Sequence, residues 1–161
     1  MKRAKLLTGA LAAVTILAFS SCKKDNNGGG GTGMSAKIGG QSWQTSLVTG
    51  GQSSLGQISI VGVQAKKGDT SYFTIVTGTP IEVNKAKTME EGMGTVYYET
   101  TKAMYAASSY WGGHGQMTIT AYDENAKKIA GTFNGTFINM NDSKDSLVVT
   151  GGQFSTTFQA D

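Results

Sequence analysis

Beyond residue 33 the chain alternates between apolar and polar positions with a period of two, and no stretch sustains the 3.6-residue period of a helix. The alternation is cleanest over residues 116–122, where Met117, Ile119 and Ala121 share one face, and over residues 129–138. In the latter, Ile129, Gly131, Phe133, Gly135 and Phe137 line one side, and Ala130, Thr132, Asn134 and Thr136 the other. Such spacing predicts strands half-buried against a core. Residues 35–38 predict a first strand, turned by Gly39-Gly40 into a second over 42–49, after which Gly50-Gly51 breaks the chain again. Residues 57–65 predict a longer strand whose apolar phase slips, with Ile58 and Ile60 on one face and Val61 and Val63 on the other. That slip calls for a bulge or for burial on both faces. After a Gly68-Asp69 turn, Phe73 and Ile75 point one way and Tyr72 and Thr74 the other.

Residues 95–100 and 104–108 read as a hairpin around Thr101-Lys102, and Asp123-Glu124-Asn125 reads as the next turn. Residues 139–145 form a polar loop, and strands over 146–149 and 153–159, with Phe154 and Phe158 inward, finish the chain. A single helical turn is expected over residues 85–91. Val48-Thr49-Gly50-Gly51-Gln52 recurs as Val149-Thr150-Gly151-Gly152-Gln153, which two similar turns would explain. The sum is an all-β domain of about nine or ten short strands over residues 34–161. Short connections favour antiparallel neighbours, in a sandwich or a flattened barrel.

The N-terminus follows different rules. Lys2, Arg3 and Lys5 precede an apolar run over residues 6–19, too short for the roughly 20 residues that span a bilayer. Small residues follow, so residues 1–21 read as an export signal. Phe19-Ser20-Ser21-Cys22 resembles the lipobox of bacterial lipoproteins, with Phe19 where Leu, Val or Ile is usual. The resemblance implies that Cys22 becomes the mature N-terminus and carries acyl chains such as palmitate, anchoring the protein to a membrane. Residues 22–33 then form a lipidated, glycine-rich tether; as a flexible coil its 11 residues after Cys22 would reach roughly 17–20 Å. Lys23 stands where many lipoproteins retained in the inner membrane carry aspartate, which by resemblance favours the outer membrane, facing either the periplasm or the cell surface.

The tether changes how composition reads. Of the 14 basic residues, Lys2, Arg3 and Lys5 lie in the signal, leaving 11 lysines against 11 acidic residues. The mature chain is neutral and has no arginine, which disfavours nucleic acid as a partner, since phosphate neutralisation and bidentate base contacts need clustered Lys and Arg. Cys22 is the only cysteine and His114 the only histidine. Intramolecular disulfides, CxxC chemistry and the usual zinc sites are therefore excluded, and no cofactor or metal is expected.

The segment Ala36-Lys37-Ile38-Gly39-Gly40-Gln41-Ser42-Trp43 resembles the opening of a group of small Bacteroidota-type lipoproteins of unknown function. Ile129-Ala130-Gly131-Thr132-Phe133, with the hairpin before it, and the closing Gly152-Gln153-Phe154 resemble the same group. The resemblance implies an all-β fold and an envelope location, and transfers no catalytic or binding residues.

Candidate chemistry gathers in Tyr110-Trp111-Gly112-Gly113-His114-Gly115. Flat rings on a loop can stack on sugar faces, and glycines admit a ligand to the backbone; the competing reading packs one ring at the core's edge. His114 lacks a recognisable nucleophile, since no Gly-x-Ser-x-Gly elbow is present. Trp43 is a further candidate, set against a role capping the core. Asn139, Asn141, Asp142 and Asp145 offer calcium-like oxygens without the spacing of an EF-hand. Glu90, Glu91 and Glu99 could be imagined as an acid/base pair.

These readings lead to a non-enzymatic, lipid-anchored envelope module that binds a glycan or another envelope ligand through Tyr110, Trp111, His114 and Trp43. An accessory protein–protein subunit is the alternative, and a carboxylate hydrolase is third. The anchor has a direct test: Cys22→Ala should move the protein from the membrane fraction to the soluble one, and retention in the membrane would refute the lipid attachment.

Overall fold

A computed structural model describes residues 32–90 and 93–160; the export signal, Cys22 and most of the tether lie outside them, as does Glu91. Twelve strands form one sheet: β1 (Gly33–Ile38), β2 (Gln41–Thr45), β3 (Val48–Gln52), β4 (Ile58–Lys66), β5 (Asp69–Val76), β6 (Ala86–Thr88), β7 (Gly94–Tyr98), β8 (Ala103–Ala106), β9 (His114–Asp123), β10 (Lys128–Asn139), β11 (Asp142–Thr157) and β12 (Gln159–Ala160). Their order is β12-β3-β4-β5-β7-β8-β10-β11-β1-β2, with β9 on β10 and β6 on β9. Every pairing is antiparallel except β12 with β3. The fold is all-β, as the alternation predicts, and the sheet does not close into a continuous ladder. No helix among the described residues is long and apolar enough to cross a membrane.

The two ends of the sheet nevertheless meet. β3 pairs with β4 only as far as Val48 opposite Gly62. Beyond that point β4 has outrun its neighbour, and β2 lies alongside. Val63 N–H donates to Leu47 O at 2.9 Å, the Thr45 hydroxyl donates to Val63 O, and the Gln64 amide donates to Gln44 O at 2.8 Å. This seam is a few individual bonds, two of them from side chains, where a closed barrel would have a ladder.

What holds the sheet around the seam is its filling. Phe73 of β5 is fully buried, 4.7 Å from Phe133, 5.5 Å from Phe137 and 5.7 Å from Trp43 between ring centroids. Phe154 extends the cluster from Phe133, at 6.3 Å. Ile58, Ile60, Ile75, Val96 and Ile129 fill the space between. On β4 the slipped phase resolves as burial on both faces: its registers with β3 and β5 are unbroken. Ile58, Ile60 and Gly62 face in, and Val61 and Val63 are half-buried outside.

The structure corrects several local readings. Gly50-Gly51 does not turn the chain but lies inside β3, and Gly151-Gly152 lies inside β11. Both repeats are strands whose glycines admit an aromatic neighbour. A Cβ on Gly50 would stand 2.9 Å from Phe158 Cβ, and one on Gly152 would stand 2.4 Å from a Phe133 ring carbon. Gly151 has φ +58° and sits in a bulge, where the registers with β1 and β10 both shift. That bulge lets residues 146–159 run nearly unbroken where two separate strands are expected. A second bulge, at Thr120 of β9, flips the phase, so Ala121 is exposed and Tyr122 turns in to stack on Phe158 at 5.9 Å. Residues 85–90 make no helical turn, and Glu91 of that expected turn lies outside the described residues; Ala86–Thr88 is β6, which pairs with β9. Gly33, expected in the tether, already pairs with Ser155. Ser46-Leu47 divides the expected second strand in two.

The glycine–aromatic interlock predicts a contrast measurable by denaturant melts. Gly152→Ala should destabilise by about 1–3 kcal/mol, because Phe133 must move. Gly51→Ala, whose Cβ would meet nothing within 4 Å, should stay within about 0.5 kcal/mol.

Candidate functional site

The loop between β8 and β9 is built rigidly. Ala107 and Ser108 are buried, and Ser108 Oγ accepts from Tyr110 N–H at 3.2 Å. Ser108 O accepts from the amides of Trp111 and Gly113, at 3.1 and 2.8 Å. Ser109–Trp111 forms one 3-10 turn, ended by Gly112 at φ +83°, a conformation that a residue with a side chain adopts only with strain. The turn lifts Tyr110 into solvent, 73% exposed, while Trp111 stays half-buried. Their rings meet edge to face, centroids 5.0 Å apart at 83°. The two rings therefore form a corner, not a coplanar platform. The adjacent glycines do not open the backbone to a ligand: a Cβ on Gly113 would lie 2.6 Å from Ala106 O, and one on Gly115 2.8 Å from Met89 Sδ. They let the loop pack down on the sheet. His114 is exposed at the start of β9, opposite Thr136, and its ring takes part in no hydrogen bond among the described residues.

Trp43 is not an exposed ring. It is 4% exposed, packed on Phe73, and its Nε1–H donates to Ser71 Oγ at 2.8 Å. A buried indole needs such a partner. It shares no hydrogen bond or ring contact with Tyr110, Trp111 or His114, so the four candidates do not form one site. The edge of Trp43 does line an open cleft of about 220 Å³ below the seam, between β2 and the β4–β5 hairpin. Ile38, Gln41, Ser42, Gln64, Lys66, Asp69, Ser71 and Tyr98 complete its walls. Sequence reading missed this cleft. Its one legible sign is Ser71, a polar residue in phase with inward-facing Phe73 and Ile75.

The oxygen-rich segment is a tight hairpin, since β10 and β11 already pair at Asn139 opposite Asp142. Three of its side-chain oxygens are committed within the protein. Asn139 Oδ1 accepts from Asn141 N–H at 2.9 Å, Asp142 Oδ1 from Lys144 N–H at 3.0 Å, and Asp145 Oδ2 from Tyr105 OH at 2.6 Å and Asn139 Nδ2 at 2.9 Å. No group of three or more His, Cys, Asp or Glu among the described residues could hold a metal. The hydrogen bonds from Asn139 and then Tyr105 hold the Asp145 carboxyl below its ordinary pKa. Burial, followed by the bond to Asp145, pushes the Tyr105 phenol up to about 12.

The remaining carboxylates are dispersed. Glu82 sits between Lys85 and Lys87, each at 2.9 Å, and is held below its usual pKa by those bonds. It lines a void of about 10 Å³, room for one water at most. Glu99 pairs with Lys102, and Glu90 is exposed. On the outer face of the sheet, a row of neighbours crosses β4, β5, β7 and β8: Val63, Tyr72, Tyr97 and Met104, register partner to register partner. Leu47, 65% exposed, extends it past Val63.

Tyr105 sets an alkaline limit on stability. A phenol whose folded pKa is raised from 10 to about 12 contributes stability that is complete below pH 10 and is lost as pH climbs through 12. Unfolding midpoints measured from pH 9 upward should fall across that window, and Tyr105→Phe should flatten the fall. Compared with protein-family models, curated proteins and solved structures, the chain matches none of them.

Proposed function

We propose that this chain is a lipid-anchored, non-enzymatic binding module of the cell envelope, held in the outer membrane through Cys22 and recognising glycan. The observation that carries the ligand class is Tyr110. A large ring 73% exposed, on a loop fixed by three backbone bonds to Ser108 and Ser109, costs little entropy to present and contributes nothing to the core. Trp111 braces it edge-on and offers a second apolar surface at right angles, a corner suited to the edge of a sugar chain. His114 stands two residues beyond the turn and supplies a polar group within the same stretch. The neutral mature composition agrees with an uncharged ligand, and the Ala36-to-Trp43 resemblance to envelope lipoproteins agrees with the location.

A second reading, an accessory subunit that docks on another envelope protein, is favoured by the outward row from Leu47 to Met104. Apolar side chains in a contiguous line on a sheet are a feature of protein interfaces.

The glycan reading is tested on a glycan array with the full chain in detergent. Wild type should bind at least one array class. Tyr110→Ala and Trp111→Ala should each weaken that signal at least about tenfold, the loss of roughly 1.4 kcal/mol per stacked ring. The melting midpoint of Tyr110→Ala should not move, because its ring is in solvent. A silent array, or undiminished binding by both variants, would reject the reading.

A further inference from the structure

The cleft below the seam is a second concave surface, separate from the Tyr110 corner, with polar walls over an apolar floor. Its floor carries an unused donor. Ser71 is 95% buried, since only 5% of its surface is exposed, and its oxygen already accepts from Trp43 Nε1–H. Its hydroxyl proton is therefore left to donate, and no protein acceptor among the described residues takes it. Gln64 commits its amide nitrogen to Gln44 O, which leaves its side-chain oxygen as an acceptor at the wall.

The rim carries one charge of each sign. Lys66 and Asp69 are the closing pair of the β4–β5 hairpin, yet they form no ion pair. Asp69 Oδ1 instead accepts from the Thr100 hydroxyl at 2.7 Å and its amide at 3.3 Å. That bond holds the carboxylate in place and leaves Lys66 free of any carboxylate within 4 Å among the described residues. Tyr98, braced edge-on by Tyr105 at 6.0 Å, adds a phenol whose pKa is raised above its ordinary value by burial and then by Asp69.

A net-charged ligand would leave one rim charge unanswered. Groups that both donate and accept, arrayed on a compact apolar frame, match Ser71, Gln64, Lys66 and Asp69 together. The volume of about 220 Å³ falls below the roughly 300 Å³ at which drug-sized sites begin, which is the scale of one small ring. We propose that the seam cleft binds a single pyranose, the terminal unit of an envelope glycan, with Asp69 and Gln64 accepting from its hydroxyls and Ser71 and Lys66 donating to them. The edge of Trp43 and Ile38 receive the sugar's apolar face. The ligand class rests on the glycan reading of the protein; the site does not involve Tyr110 or Trp111.

The chain contains two tryptophans, Trp43 and Trp111, so its two indole N–H resonances report the cleft and the corner separately. The full chain in detergent micelles is titrated with glucose, galactose, mannose and N-acetylglucosamine, and with glycine as a zwitterion of similar reach. At least one sugar should shift the Trp43 resonance saturably, with a dissociation constant on the order of 1 mM. Asp69→Asn should weaken that titration at least about tenfold, the value of one charge-assisted hydrogen bond, and Tyr98→Phe should weaken it less, with the spectra of both variants retaining native dispersion.

A Trp43 shift without a Trp111 shift supports the cleft even if the corner reading fails. A Trp111 shift without a Trp43 shift overturns the cleft and leaves the glycan reading standing. A Trp43 shift with glycine alone, or a sugar titration that Asp69→Asn and Tyr98→Phe both leave unchanged, also overturns it.

Discussion

Phe73 is the contact on which the rest of this molecule depends. It sits on β5, near the middle of the strand order, and touches rings from β2 and β10 at once. A sheet whose ends meet through a handful of bonds cannot rely on its ladder to keep its shape. It has to be held by what it encloses, and burying a phenylalanine at such a junction contributes on the order of 3–5 kcal/mol against truncation. The glycines follow from the same constraint. Gly62 leaves room for Met34 and Trp43, Gly94 for Met89 and Phe137, and Gly152 for Phe133. Gly50, Gly62, Gly94, Gly131 and Gly152 are the negative image of the aromatic side chains packed against them.

That relation explains which parts of the fold are legible in sequence. Period-two alternation locates the inward faces of β5 and β10 because nothing interrupts their phase. It fails on Ala121, since a bulge at Thr120 leaves no mark in an apolar–polar pattern. It fails on both Val-Thr-Gly-Gly-Gln segments for a different reason. A glycine pair has two uses, turning a chain or thinning it, and only the position of Phe133 and Phe158 in space decides between them. Residues 85–91 mislead because their polar-rich composition has no strand phase; pairing with β9 makes β6 a strand.

The candidate site is legible in part. Tyr110 and Trp111 stand where a glycine-rich tip should expose them, but their right-angle packing depends on the Ser108 cap and on Gly112. Trp43 reads in sequence as either a cap on the core or a ligand contact, and is a core residue whose edge borders a cleft. The cleft itself is invisible in sequence, because it is made by an interruption in pairing between β2 and β4. These strands are joined by single bonds between residues far apart in the chain, and no local pattern encodes where two strands fail to join. The same interruption that leaves the fold dependent on Phe73 therefore gives it a concave, polar-walled surface.

A sheet closed by its core, and only lightly by its seam, should open first at the seam. Residue-resolved hydrogen exchange under native conditions tests this most directly. The amides of Ile60, Phe73 and Phe133 should exchange only through global unfolding, whereas that of Val63, whose bond to Leu47 O lies at the seam, should exchange through a local opening of lower free energy. If Val63 is protected as strongly as Phe73, the seam is as stable as the ladder, and closure by the core is contradicted.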